Sequence, residues 1–264
     1  MLIFLKLGGS LITDKNKPET ACLDRINRIS LEIVKALNIQ PDIQLVLGHG
    51  SGSFGHTAAN KYRTRDGVNN DNEWNGFIKV CKTARALNQI IMDSLYKAGA
   101  KAVSIPPSGS IITDKGIPID WDIRPILHSL KAKIIPVIYG DVVYDKSKGG
   151  TILSTEELFR YLTLKLDPDR ILIAGLEKGV WTDYIQKKKL IHKITPKTYP
   201  YLEKSIKKSF AVDVTGGMKT KIEEMLQIVM ESVNVEIIVF SAKKEEALFK
   251  ALTGEIDGTI ISAR

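Results

Sequence analysis

Leu2-Ile3-Phe4-Leu5-Lys6-Leu7-Gly8-Gly9-Ser10 is an apolar run of strand length that ends in paired glycines. Strands buried on both faces have this near-continuous apolar character, as in a parallel sheet covered by helices. Lys6 interrupts the run one position before its exit. A buried lysine without a partner is costly, so its placement asks for an anion at the carboxyl end of the strand. The two glycines allow a sharp turn that brings bare N–H groups toward such an anion. A tight turn beside a snorkelling lysine is the plainer alternative.

Further runs of the same kind follow at Ile43–Leu47, Ala102–Ile105, Ile134–Ile138, Arg170–Ile173 and Val235–Phe240. Between them lie amphipathic stretches of helical length: Asp24–Leu37, Asn75–Lys97, Thr155–Leu166, Pro200–Lys208, Gly217–Glu231 and Lys244–Leu252. Repeated strand-then-helix order predicts an α/β fold with a mostly parallel central sheet and helices on both faces. Ile111–Asp122 and Val142–Leu153 break the rhythm with a glycine turn between short β-type runs, which reads as two inserted hairpins. No repeat, low-complexity tract or linker divides the chain, so a single domain over 1–264 is expected.

Two more glycine turns follow strands or open helices. Gly48-His49-Gly50-Ser51-Gly52-Ser53-Phe54-Gly55-His56 contains a G-x-G-x-x-G match. That match alone is weak evidence for a nicotinamide enzyme, because it follows the second strand and the downstream Asp71 and Glu73 lie in the polar run 69–73. His56, beside a glycine nest, suits donation to a phosphate oxygen. Asp213-Val214-Thr215-Gly216-Gly217-Met218-Lys219-Thr220-Lys221 opens a helix with the apolar face Met218, Ile222, Met225, Val229. Lysines in a first helical turn oppose the macrodipole, a penalty that bound phosphate reverses. Three N–H-rich turns with lysines at the strand exits of one sheet point to a polyphosphate and to phosphoryl transfer.

Bulk properties agree. The 264 residues are 44% apolar and 26% charged, and 38 basic against 30 acidic residues give +8. The basic runs Lys187-Lys188-Lys189 and Lys207-Lys208 lack interleaved aromatics, so polyanionic ligands are expected and nucleic acid is not. Cys22 and Cys81 have neither metal spacing nor a disulfide framework. His49, His56, His128 and His192 show no ligand spacing, so no protein-held metal is expected. There is no membrane-length apolar run, P-loop, G-x-S-x-G elbow or H-E-x-x-H motif; a cytoplasmic protein is expected.

Lys6 to Ser10, the loop 48–56 and Thr215-Gly216-Gly217-Met218 with Lys221 resemble the amino acid kinase superfamily in order and spacing. Ser10-Leu11-Ile12-Thr13-Asp14-Lys15 with Ser53-Phe54-Gly55-His56 resembles its isopentenyl phosphate kinases in particular. The resemblance implies an open αβα sandwich, a homodimer, ATP with Mg2+, and an isoprenoid monophosphate such as isopentenyl phosphate as acceptor. An acceptor-binding lobe over about 1–165 and a nucleotide-binding lobe over about 166–264 are implied as well.

On matching positions the resemblance makes Lys6, Lys15, His56 and Lys221 catalytic. It places Lys6, Leu7, Gly8, Gly9, Ser10, Ser51, Gly179, Gly217 and Lys221 against ATP. Gly50, Gly55, His56 and Thr155 would face the acceptor. Many relatives carry Ser-Gly-Asp where this chain has Ser154-Thr155-Glu156, so Glu156 or Asp141 would supply the carboxylate that orients the lysines. Phe77, Ile78, Val80 and Cys81 are candidate walls for the acceptor's tail, or plain core. The alternatives are a fosfomycin kinase or other small-molecule kinase of this fold, and a non-catalytic anion-binding protein.

Overall fold

A computed structural model of the chain describes residues 1–182, 189–208 and 217–264. For residues 56–58, 60, 204–208, 217 and 218 it describes the backbone alone. β1 (Leu2–Leu7) runs into a single turn, α1 (Gly9–Ile12), and then α2 (Leu23–Ile39). β2 (Gln44–His49) feeds α3 (Gly52–Tyr62) and the long α4 (Asp71–Lys97). β3 (Ala102–Ser104) precedes the hairpin β4 (Ile111–Asp114) and β5 (Ile117–Trp121), followed by α5 (Arg124–Lys131). β6 (Ile135–Tyr139) leads to the hairpin β7 (Asp141–Asp145) and β8 (Gly149–Leu153), then α6 (Thr155–Leu166). β9 (Arg170–Gly175), β10 (Val180–Trp181), β11 (Leu190–Ile191) and β12 (Lys193–Ile194) come next. α7 (Tyr199–Lys208), α8 (Gly217–Glu231), β13 (Glu236–Ser241), α9 (Ala247–Thr253) and β14 (Gly258–Ile261) complete the order.

Eight strands form the large sheet in the order β12-β14-β13-β9-β1-β2-β6-β3. Its neighbours pair in parallel except β13 with β14. The two expected hairpins are present, and parallel pairing of β4 with β7 joins them into a second sheet, β5-β4-β7-β8.

Side chains of β1 alternate between the faces, as a strand's period of two requires. Ile3, Leu5 and Leu7 enter one core with Ile29 and Ile33 of α2, while Phe4 enters the other with Phe159 of α6 and Met225 of α8. Lys6 therefore shares the α6/α8 face. α6 starts sharply because Ser154 and Glu157 form a capping box: the Glu157 N–H donates to Ser154 Oγ at 3.1 Å and the Ser154 N–H to Glu157 Oε2 at 2.6 Å.

Several local expectations need correction. The polar run at 69–73 is the start of α4, where Asn70 caps the helix by accepting from the Glu73 N–H at 3.1 Å. The helix expected from Lys244 begins at Ala247, after Glu246 in the left-handed region. Half of the second glycine loop is the first turn of α3.

Candidate active site

The strand exits of β1, β2 and β9 converge on the glycine turns. Lys6 and Glu156 form a buried ion pair, at 6% and 7% exposure. Its geometry follows from a neighbouring contact: Phe4 packs on Phe159 with centroids 5.1 Å apart. Two residues along β1 from Phe4 is Lys6, and one turn back along α6 from Phe159 is Glu156. Burial lowers the Lys6 pKa, reinforced by Lys221, and Glu156 only partly offsets this. Burial opposes ionisation of Glu156 too, but Lys6 and Lys221 outweigh it and hold the carboxyl below its ordinary range. The first turn of α6 adds a favourable dipole for that carboxylate.

The first two glycine turns interlock backbone to backbone. A Cβ on Gly9 would stand 2.5 Å from the Gly52 nitrogen, and one on Gly50 would stand 3.0 Å from the Gly9 nitrogen. Gly52 takes φ +49 with Thr13 Oγ1 and the Gly9 carbonyl against it. Thr13 Oγ1 donates to the Gly9 carbonyl at 2.8 Å and accepts from the Ser53 N–H at 3.0 Å, stitching the turns together. Among the described residues, the N–H groups of Gly9, Ser10, Ser51 and Gly52 have no acceptor. This is a nest of donors where an anion can lie.

The start of the second turn of α8 brings Lys221, an exposed residue, close enough to act electrostatically on both Lys6 and Glu156. Lys219 is occupied elsewhere, with Glu203 at 3.2 Å and Glu223 at 3.4 Å. Gly217 opens α8, and residues 213–216 of the third glycine turn lie outside the described residues.

A model of the amino acid kinase family matches residues 1–241. The chain belongs to that family. It is 37% identical to isopentenyl phosphate kinase of Methanocaldococcus jannaschii, covering 99% of this chain and 98% of that protein. Identity to isopentenyl phosphate kinase of Methanothermobacter thermautotrophicus is 34%, over the full length of both. A solved X-ray structure of isopentenyl phosphate kinase superposes with TM-score 0.83 at 31% identity, covering 99% of this chain and 100% of that one.

Within this amino acid kinase the structure sorts the expected site residues. Lys6, Gly9, Ser10, Ser51, Gly55, Glu156 and Lys221 gather at the strand exits, joined by Gly52, which the sequence reading passed over. No signal in the sequence singles it out, since only the geometry of the turn shows which glycine of the loop takes the positive φ. Leu7 does not belong: its side chain is in the core and its carbonyl accepts from the Gly50 N–H at 3.0 Å. That bond also occupies the Gly50 donor, and the Gly8 N–H is taken by the Ala174 carbonyl at 2.8 Å. Thr155 is buried and donates to the His49 carbonyl at 2.7 Å, a structural rather than a ligand contact.

Asp141 is not the carboxylate that supports the lysines. It opens β7, the strand that leaves the large sheet, and so faces Ser108 and Arg85 instead of Lys6. Burial pushes its pKa up to about 6, with Ser108, Val142 and Arg85 pulling the other way. Gly179 packs against Thr259 and Leu190, which accounts for its lack of a side chain without a ligand. Lys15 is exposed on a loop stitched to the second glycine turn, where the Glu19 N–H donates to the Ser53 carbonyl at 3.3 Å. The backbone of His56 lies in α3, but its side chain lies outside the described residues. Phe77 and Val80 form a small apolar cluster with Val68 and Val142, and Cys81 flanks it. Ile78 points outward at 61% exposure and is no wall.

Proposed function

We propose that this chain moves the γ-phosphoryl group of ATP directly onto isopentenyl phosphate, giving the diphosphate without a covalent enzyme intermediate. The observation that carries the reading is Lys6, buried on Glu156 and flanked by Lys221, beneath the free N–H groups of Gly9, Ser10, Ser51 and Gly52. Two anions must approach for in-line transfer, and cations and backbone dipoles fixed in a water-poor site stabilise that approach. An acceptor phosphate is already anionic and needs no general base. Lys6 and Lys221 would hold the transferring phosphoryl group, Lys15 would reach it from its loop, and His56 would bind the acceptor phosphate with the Gly55 N–H. The names of the 37% and 34% identical relatives support this acceptor. The apolar cluster of Val68, Phe77, Val80 and Val142 suits a hydrocarbon tail.

Among the described residues, no three His, Cys, Asp or Glu side chains gather into a metal cage. Magnesium fits this site as a partner of the nucleotide's own phosphate oxygens. The homodimer, the cytoplasmic location and the division into acceptor and nucleotide lobes belong to the same proposal.

The test is ADP release with isopentenyl phosphate, other isoprenoid monophosphates, carboxylates and fosfomycin as acceptors. Turnover confined to fosfomycin or a carboxylate reassigns the acceptor, and ATP binding without turnover on any of them defeats the kinase reading. For His56→Ala we expect acceptor use to collapse while ATP affinity holds. Equal loss of both in a titration removes His56 from the acceptor side.

A further inference from the structure

The helices α6 and α8 run side by side in the same direction. Arg160 of α6 bonds Gln227 at 2.8 Å and Glu231 at 2.8 Å on α8. One turn earlier on each helix, the same register sets Glu156 beside Glu224. Glu224 stands one turn after Lys221 on α8 and is half-buried, with no hydrogen bond or ion pair among the described residues. Tyr199 and Glu203 of α7 engage Glu223 and Lys219 instead. The groups that face Glu224 are Glu156 and Glu157 from α6, Lys6 from β1 and Arg65 from the α3–α4 connection. Arg65 is itself bonded to Glu157 at 2.6 Å. A half-buried carboxyl with no cation in contact and another carboxylate beside it is an unusual expense in a kinase site.

We propose that Glu224 is a positioning residue that sets the charge of the lysine cluster, taking up a proton when a polyphosphate docks and releasing it when the site empties. With Glu224 ionised, the set Lys6, Lys221, Glu156 and Glu224 has no net charge. With Glu224 neutral it carries one net positive charge, available to the incoming anion. Burial first, then Glu156 and Glu157, push the Glu224 pKa up to about 7 against the pull of Lys6 and Arg65. An adjacent polyphosphate adds negative charge and raises it further. Nucleotide affinity is therefore greatest below the pKa of the empty site and falls as pH rises from there toward the pKa of the loaded site. The proposal rests on the lysines holding nucleotide phosphates.

The experiment is calorimetric titration with a non-hydrolysable ATP analogue in magnesium buffers of different ionisation enthalpy, comparing wild type with Glu224→Gln. The difference cancels protons that belong to the analogue itself. At pH 8 we expect wild type to take up a large fraction of one proton more than the variant. Between pH 7 and pH 8.5 wild type should lose roughly three- to tenfold more affinity than the variant, since each unit of pKa shift is tenfold. At pH 6.5 kcat of the variant should lie within about twofold, and Glu224→Asp should restore proton uptake. Equal proton counts and parallel pH profiles overturn the proposal. Absence of analogue binding to wild type overturns the nucleotide assignment instead. If Glu224→Gln does not fold, the infrared difference spectrum of wild type at pH 8 decides: a carboxylic acid band must appear on addition of analogue, and its absence rejects the idea.

Discussion

Lys6 and Glu156 meet as a buried ion pair because β1 and α6 place them one structural period away from the Phe4–Phe159 contact. A hydrophobic contact thus fixes the position of the cation proposed to be catalytic, and Glu156 holds that lysine at the strand exit. Replacing one partner of a buried pair leaves an unpaired charge in the interior, which typically costs about 3–5 kcal/mol.

Glu156→Gln is therefore expected to lower stability by about that amount and turnover by about 10²–10³. Glu156→Asp, which keeps the charge on a shorter arm, should retain most of the stability. Urea unfolding at pH 7.5 with a turnover assay checks both. A Gln variant as stable as wild type contradicts the pairing.

At Lys221 the proposed catalytic role separates from folding, because its side chain is exposed and makes no ion pair among the described residues. For Lys221→Ala we expect a stability change within about 0.5 kcal/mol, with turnover reduced by about 10²–10³. Lys219→Ala, which breaks the contacts to Glu203 and Glu223, should change turnover by less than about threefold, as rim ion pairs contribute little. Comparable rate losses in the two variants would show that α8 presents both lysines to the nucleotide.

Gly9 sits where the two glycine turns touch, so Gly9→Ala sets a Cβ 2.5 Å from the Gly52 nitrogen. Backbone cannot step aside as a flexible side chain can, and the turns must separate. Nucleotide affinity should fall at least about tenfold, a loss of about 1.4 kcal/mol. Gly109→Ala meets nothing within 4 Å and serves as the control, expected to bind like wild type. Binding by calorimetry distinguishes the two.

The sheet was readable because strands buried on both faces leave uninterrupted apolar runs, and β1, β6 and β9 appear within two residues of their positions. α5 escaped because Arg124–Lys131 has only eight residues and follows a hairpin, too short for a helical period to stand out. β14 escaped because its pairing with β13 is a tertiary fact that Gly258–Ile261 does not advertise locally. At the site, glycine and lysine types pointed to the turns that carry free donors, but backbone donors are interchangeable in sequence. Which were already spent, as at Gly8 and Gly50, depended on Ala174 and Leu7 across the sheet. Glu156 over Asp141 was settled by strand β7 departing from the large sheet, which no spacing rule encodes.

His49 is buried, stacked on Tyr139 with centroids 5.1 Å apart and 3.3 Å from Asn88 Oδ1. Burial lowers its pKa to about 4, against a partial pull upward from Gly50 and Asn88. The unfolded chain thus binds a proton more readily between pH 6.5 and 4. The stability this neutral ring contributes is present above pH 6.5 and is lost as pH falls toward 4, amounting to about 3 kcal/mol. Chemical unfolding across that range should show the decline, and His49→Gln should flatten it. Identical slopes in both proteins would place the titrating group elsewhere.

Asp145 holds the hairpin sheet together. Its Oδ2 accepts from Thr113 Oγ1 and the Gly116 N–H at 2.7 Å each, and its Oδ1 from the Lys148 and Ser147 N–H groups at 2.8 and 3.0 Å. One carboxylate thereby closes the turn of each hairpin and fixes β7, which carries Val142 against Phe77 and Val80. An amide has one accepting oxygen, so Asp145→Asn points its NH2 at the Ser147 and Lys148 N–H groups in one orientation and at the Gly116 N–H in the other, where the Thr113 hydroxyl can turn to the Tyr144 carbonyl 3.1 Å away. Hydrogen bonds to charged groups contribute about 1.5–3 kcal/mol each, so a loss of about 3 kcal/mol is expected. Because the glycine turns and lysines lie on the other sheet, the acceptor KM should rise several-fold while the ATP KM stays within about twofold. Steady-state kinetics with each substrate varied in turn measures the split, and equal rises in both KM values would mean that the hairpin sheet braces the whole site and not the acceptor side alone.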